Sequence, residues 1–243
     1  MARTIPPERL PAVIDAAVQV FVTHGFRRAQ MQDVADVLGL AKGTLYGYAA
    51  SKDALFAAAV RYGDALEPLP ALSELPLPAA SEGELADLVT SRLAAELPDL
   101  ALTRAVQRAS LPASPEEASA ELTSIVTDLF HRLARHRVAI KLVDRCAPEL
   151  PELARVWFDT GRSTQMSAME GYLDSRQRAG LLAMPGPTPI VARTIVELCV
   201  LWAVHCRFDP APAARPQPSD DSLAATTAAL IARSTALDER YPS

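Results

Sequence analysis

Residues Met31–Leu55 read MQDVADVLGLAKGTLYGYAASKDAL, and their spacing decides the fold. Met31, Val34, Ala35 and Leu38 recur at the i, i+3, i+4, i+7 positions of one helical face. Gly39 then offers the positive φ that a tight inter-helix turn requires. Ala41–Tyr48 makes a second short helix with Leu45 inward. Ser51 caps a further helix, with Asp53 in its first turn complementing the dipole. Ala54, Leu55, Ala58 and Ala59 carry that helix to about Leu66. Two short helices on a tight turn predict a helix-turn-helix.

Upstream, Leu10, Val13, Ile14, Ala17, Val18 and Phe21 predict a helix over Glu8–His24, ended by a left-handed cap at Gly25 with Phe26 folded back onto it. Downstream, Glu67–Ala80 reads EPLPALSELPLPAA, a proline-stiffened crossing that stops the connector helix. Capping boxes at Ser81/Glu84 and Ser114/Glu117 then open two helices, with a short helix at Asp99–Ala109 between them. The second ends ambiguously near His136. Helices follow over Glu152–Ala179, from Thr188 to His205, and from Ser219 to Leu237, with a proline-rich loop, PAPAARPQPS, after Asp209. The expectation is an all-α chain of nine or ten helices: a helix-turn-helix domain at 1–50, a connector helix at 51–66 and a helical domain at 67–243.

Composition agrees. Of the 243 residues 49% are hydrophobic but only 5% aromatic, with 10 glycines, the profile of an Ala- and Leu-rich helical protein. Net charge is −5, which argues against indiscriminate coating of nucleic acid. Residues 1–52 nevertheless hold six basic groups against four acidic, so the helix-turn-helix end is the basic end. No run of about 18 uninterrupted apolar residues and no apolar signal core is evident, so the expected location is the cytoplasm, without a membrane partner. The three cysteines, Cys146, Cys199 and Cys206, suit a reducing compartment. Cys199 and Cys206 stand about 10 Å apart along one helix, too far to share an ion, and His131 and His136 fall off one face. No Ser/His/Asp set, phosphate loop or carboxylate pair has a usable spacing. Neither a metal, a cofactor nor catalysis is expected.

In a helix-turn-helix the second helix presents its first residues to base edges while flanking donors clamp phosphates. Lys42 is a cation at the helix start, Gly43 lets the backbone approach, Thr44 suits a thymine methyl or a hydrogen bond, Tyr46 and Tyr48 are amphipathic donors, and Lys52 begins the next helix. Each alone fits a solvated helical corner equally well. Together they point to DNA.

The stretch from about Glu8 to Leu66, roughly a quarter of the chain, resembles the DNA-binding domain of the TetR family of bacterial repressors. The resemblance rests on a helix ending H-G-F, on D-V-A at Asp33–Ala35, and on G-L-A-K-G-T-L-Y-G-Y followed by S-K-D-A-L. It implies phosphate contacts from Tyr48 and Lys52, and groove-side positions at Lys42, Gly43, Thr44 and Tyr46. Four residues depart from the pattern: Gln30 replaces a capping Thr, Ala41 a Ser, Gly47 a larger polar residue and Ala49 a core Phe. The same resemblance implies a C-terminal ligand-sensing and dimerisation domain. Phe130, Trp157, Met166 and Met169 would line a pocket for a small-molecule effector of unidentified structure, although a stripe of large residues reads as core too. Leu198, Leu201, Trp202, Ala224, Ala228 and Ile231 would form the homodimer interface. The implied function is a ligand-responsive repressor on a pseudo-palindromic double-stranded operator. The four departures keep open a protein-interaction module whose helix-turn-helix no longer reads DNA.

Overall fold

The computed structural model describes residues 6–209 and 218–237, so most of the expected proline-rich loop lies outside the described residues. Twelve α-helices appear among those described, with no strand and one isolated bridge. The all-helical reading holds. The extra helices arise from breaks within two long segments: His136 leaves helical geometry, and a π-helical stretch interrupts 151–178.

The chain forms two compact units. The first, residues 1–91 and 136–159, contains α1 (Leu10–Arg28), α2 (Met31–Val37), α3 (Lys42–Leu45), α4 (Lys52–Tyr62) and α8 (Arg137–Cys146). Helix α5 (Glu84–Glu96) begins in it and ends in the second unit. Helices α1, α4 and α8 pack on one another around Val13, Ile14, Ala17, Phe21, Leu55 and Leu142, all buried. Phe21, Phe26 and Phe56 meet at centroid distances of 5.0–6.1 Å, so Phe26 does fold back onto α1. Gly25 has φ +76°, but one further helical turn follows it to Arg28. Periodicity leaves open whether Ile140, Leu142 and Val143 continue the preceding helix; in the structure they lie on α8, which belongs to the unit that holds the helix-turn-helix.

The second unit, residues 92–135 and 160–243, is built around α7 (Pro115–Arg135), against which α6 (Ala101–Gln107), α11 (Thr188–Ala203) and α12 (Asp220–Ser234) pack. Helix α10 (Ser163–Arg178) lies on α6 and α11, and α9 (Pro151–Ala154) belongs to the first unit. Its core joins Leu122, Ile125, Met169, Leu173, Ile195 and Cys199. Thr188–Arg207 is long and apolar enough to cross a membrane by length and composition, but its Val191, Ala192, Ile195, Val196 and Cys199 face this core.

Candidate nucleic-acid interface

The helix-turn-helix forms where the spacing placed it. Gln30 caps α2 through its backbone: the Asp33 carboxylate reaches back to accept the Gln30 amide at 2.8 Å, the returning half of a capping box. Gly39 adopts φ +63° with open space around it. Ala41 caps α3 without a side-chain bond, and its carbonyl accepts from the Thr44 amide at 2.8 Å. Ser51 caps α4 by accepting from Ala54 N–H at 3.1 Å.

Helix α3 is shorter than the Ala41–Tyr48 expected. Regular hydrogen bonding stops at Leu45, and the next residues continue as tight turns, with Gly47 N–H on Thr44 carbonyl and Tyr48 N–H on Leu45 carbonyl. Gly47 contributes to this: glycine costs about 1 kcal/mol of helix propensity relative to alanine, and beyond Leu45 a single α-type bond remains, from Ala49 N–H to the Leu45 carbonyl at 3.2 Å.

The six predicted contact residues divide. Lys42, Gly43 and Tyr46 are exposed and Thr44 is half-buried, all on the solvent side of a segment whose Leu45 is buried. A methyl at Gly43 would meet nothing within 4 Å, so a duplex could approach the backbone there. Tyr48 is fully buried, its hydroxyl donating to the Pro6 carbonyl at 3.0 Å, and burial pushes its phenol up from the ordinary value. It is therefore a core residue of the unbound protein, not a free phosphate donor. Lys52 also turns inward: its ammonium donates to the Phe26 carbonyl at 2.9 Å and sits 4.6 Å over the Phe26 ring. Carbonyls at a helix C-terminus attract a cation, and this one clamps the end of α1.

Sequence reasoning did not reveal a second clamp on that helix end. The Glu149 carboxylate accepts the Arg27 amide at 2.5 Å and lies 3.4 Å from Arg145. At the other end of α8, Asp64 accepts the Val138 and Ala139 amides at 2.7 and 2.9 Å, an N-cap supplied from beyond α4. Both carboxylates lie far in sequence from the amides they bind, and no local pattern marks them.

The expected pocket residues are not gathered into one site. Phe130 and Met169 are buried and Met166 half-buried in the second unit. Trp157 belongs to the first, where its indole N–H donates to Asp144 at 3.2 Å. The second unit instead holds a buried polar cluster. Arg176 pairs with Glu121 at 2.9 Å, donates to the Ala105 carbonyl, and lies 4.5 Å over the Tyr172 ring. The Tyr172 hydroxyl is buried beside this pair and makes no well-formed hydrogen bond among the described residues, and burial followed by the Glu121 charge raises its pKa well above the ordinary value. Met169, Tyr172, Leu173 and Arg176 occupy one helical stripe, so an arginine in an otherwise apolar stripe was the available signal. The expected dimer residues divide too. Ala224, Ala228 and Ile231 are buried within the unit, because α12 lays that face on α7, and Leu198 packs against the same core. Leu201 and Trp202 are exposed, as are Ile190 and Leu230 on the same two helices.

Residues 13–59 match the family model described as bacterial regulatory proteins, tetR family. Among solved structures, the ketosteroid transcriptional regulator KstR2 of Mycobacterium tuberculosis superposes with a TM-score of 0.57 at 16% identity, covering 96% of this chain and 97% of its own. A tetR-family regulatory protein from Rhodococcus RHA1 gives 0.50 at 18% identity, over 95% of this chain and 99% of its own. At such identities the likeness concerns the fold. No curated protein sequence matches the chain. The match at 13–59 lies over the helix-turn-helix built above, and over that stretch the chain is similar to the tetR family of bacterial regulatory proteins.

Proposed function

We propose that this DNA-binding transcriptional regulator is a cytoplasmic homodimeric repressor, answering to a small-molecule effector and needing no metal or cofactor. The observation that carries the DNA reading is the exposed first turn of α3, where Lys42, Gly43 and Tyr46 face solvent while Leu45 anchors the segment to the core. Two such heads, related by a two-fold axis, would read a pseudo-palindromic operator through adjacent major grooves. Exposed Ile190, Leu201, Trp202 and Leu230 on α11 and α12 support pairing of two chains through those helices. The buried Tyr172 hydroxyl, set beside Arg176 and Glu121 in an otherwise apolar core, supports an effector that is mostly apolar with one hydrogen-bonding group. In this reading α8, fixed to the head by Asp64 and Glu149, carries the response to α1 and α4, and an effector acts only by binding two head positions unequally.

Selection from a random duplex pool with the purified chain tests the proposal. It expects a recurrent inverted-repeat sequence. A second reading, a protein-interaction module, is favoured by the shortened α3 and the inward Tyr48 and Lys52; an unenriched pool together with a co-purifying partner protein would support it instead.

A further inference from the structure

The proline-rich segment Glu67–Ala80 returns to the recognition corner. Leu77 N–H donates to the Tyr48 carbonyl at 2.9 Å, and Ala50 N–H donates to the Leu77 carbonyl at 2.9 Å, a parallel bridge that spans Ala49. Ala49 is fully buried and has only a methyl group to fill its place. The three residues so gripped, Tyr48–Ala50, are the whole link between the turns that end α3 and the Ser51 cap of α4.

The hydrogen bonds of the grip are both backbone. Leu69 and Leu72 are 41% and 51% exposed, so two of the segment's four leucines bury little against the head, and Leu75 and Leu77 are half-buried. Beneath Leu77 and Pro78, the small side chains Ala54, Ala57 and Ala58 of α4 leave a cavity of about 90 Å³ rather than a packed contact. With so little apolar area in contact, the two hydrogen bonds set where the segment sits. They also supply order to a corner that glycine at position 47 and alanine at position 49 leave under-determined.

We propose that Leu77 is a positioning residue for DNA reading, and that residues 67–80 form a strap whose main chain fixes the exit of the recognition helix. The inference rests on the DNA-binding reading given above. The strap acts by holding the corner in its binding geometry before DNA arrives, so that less ordering is required on association.

The test uses the full chain. In wild-type protein, hydrogen exchange should show the Ala50 and Leu77 amides protected together and more strongly than the exposed strap amides around Leu72. Exchange of Ala50 at an unprotected rate would overturn the bridge. Leu77→Pro deletes the donor to Tyr48, and Ala50→Pro deletes the donor to Leu77 from the other side, which keeps the test decisive if one variant fails to fold. Each should leave the helical circular dichroism in place, release the partner amide to exchange, and weaken operator binding roughly tenfold, the scale of two ordinary backbone hydrogen bonds. Leu77→Ala keeps both bonds and should bind within about twofold of wild type, as should Leu72→Ala. Wild-type binding left unchanged by Leu77→Pro would overturn the strap alone. A wild-type chain that selects no DNA would overturn the reading of function, while the exchange measurement still decides whether the strap is docked.

Discussion

Gly25 and Gly39 both hold left-handed backbone, at φ +76° and +63°, yet replacing them by alanine should have different consequences. At Gly39 a methyl meets nothing within 4 Å, so the cost is the left-handed conformation alone, about 1–2 kcal/mol. At Gly25 the same methyl would stand 2.5 Å from Glu149 Oε1 and 2.8–2.9 Å from the Arg145 guanidinium. Those are flexible side-chain ends and can withdraw. Glu149 cannot do so and still accept the Arg27 amide, a hydrogen bond to a charged group worth about 1.5–3 kcal/mol. Gly25→Ala should therefore cost about 3–4 kcal/mol, roughly twice Gly39→Ala and a large share of a stability of about 5–15 kcal/mol. Urea unfolding followed by circular dichroism, completed as a cycle with Glu149→Ala, measures both terms. With Glu149 removed, Gly25→Ala should cost only the 1–2 kcal/mol of backbone strain. Equal losses for the two glycines, or additivity of Gly25→Ala with Glu149→Ala, would refute the clamp.

Three further outcomes follow from the same geometry. Arg176→Ala, which removes the buried partner of Glu121 and leaves it only the largely exposed Arg108 at 3.0 Å, should destabilise the protein by about 3 kcal/mol, whereas the double change Arg176→Met with Glu121→Leu should recover most of that; chemical denaturation of the three proteins checks it. The Glu84 carboxyl is held below the usual carboxylate range chiefly by the Ser81 amide and then by its hydroxyl, so its contribution is present above the ordinary carboxyl pKa of about 4.3 and is lost as pH falls through the depressed value. Ser81→Ala should accordingly flatten the acid limb of the thermal midpoint without changing its sign. Burial pushes the Cys146 and Cys199 thiols up to about 12, and the thiolate is the reactive form; a thiol reagent at pH 8 should modify the partly exposed Cys206 first and reach the other two only on denaturation.

The helical layout was legible because it rests on local chemistry. Periodic apolar positions, the Ser51 cap, the Glu84 carboxylate reaching back to Ser81 and the left-handed glycines at 25 and 39 are written in short windows of sequence, and all appear in the structure. What was not legible depends on pairings between distant residues. Nothing local marks Lys52 for the end of α1, Asp64 for the start of α8 or Leu77 for Tyr48 and Ala50. The same limit explains the divided dimer residues: periodicity locates the apolar faces of α12 but not which of them α7 takes, and α7 takes Ala224, Ala228 and Ile231. Of the recognition residues, those at the start of α3 remain at the surface. The two at its far side, Tyr48 and Lys52, are held internally.

Titrating the selected operator with wild-type protein and with Lys42→Ala and Thr44→Ala, at several salt concentrations, tests the central claim most directly. Lys42→Ala should weaken binding across sequences and lower the salt slope by about one phosphate contact, while Thr44→Ala should lose about 1–3 kcal/mol of preference at one base position. Unchanged affinity, slope and preference in both variants would contradict it.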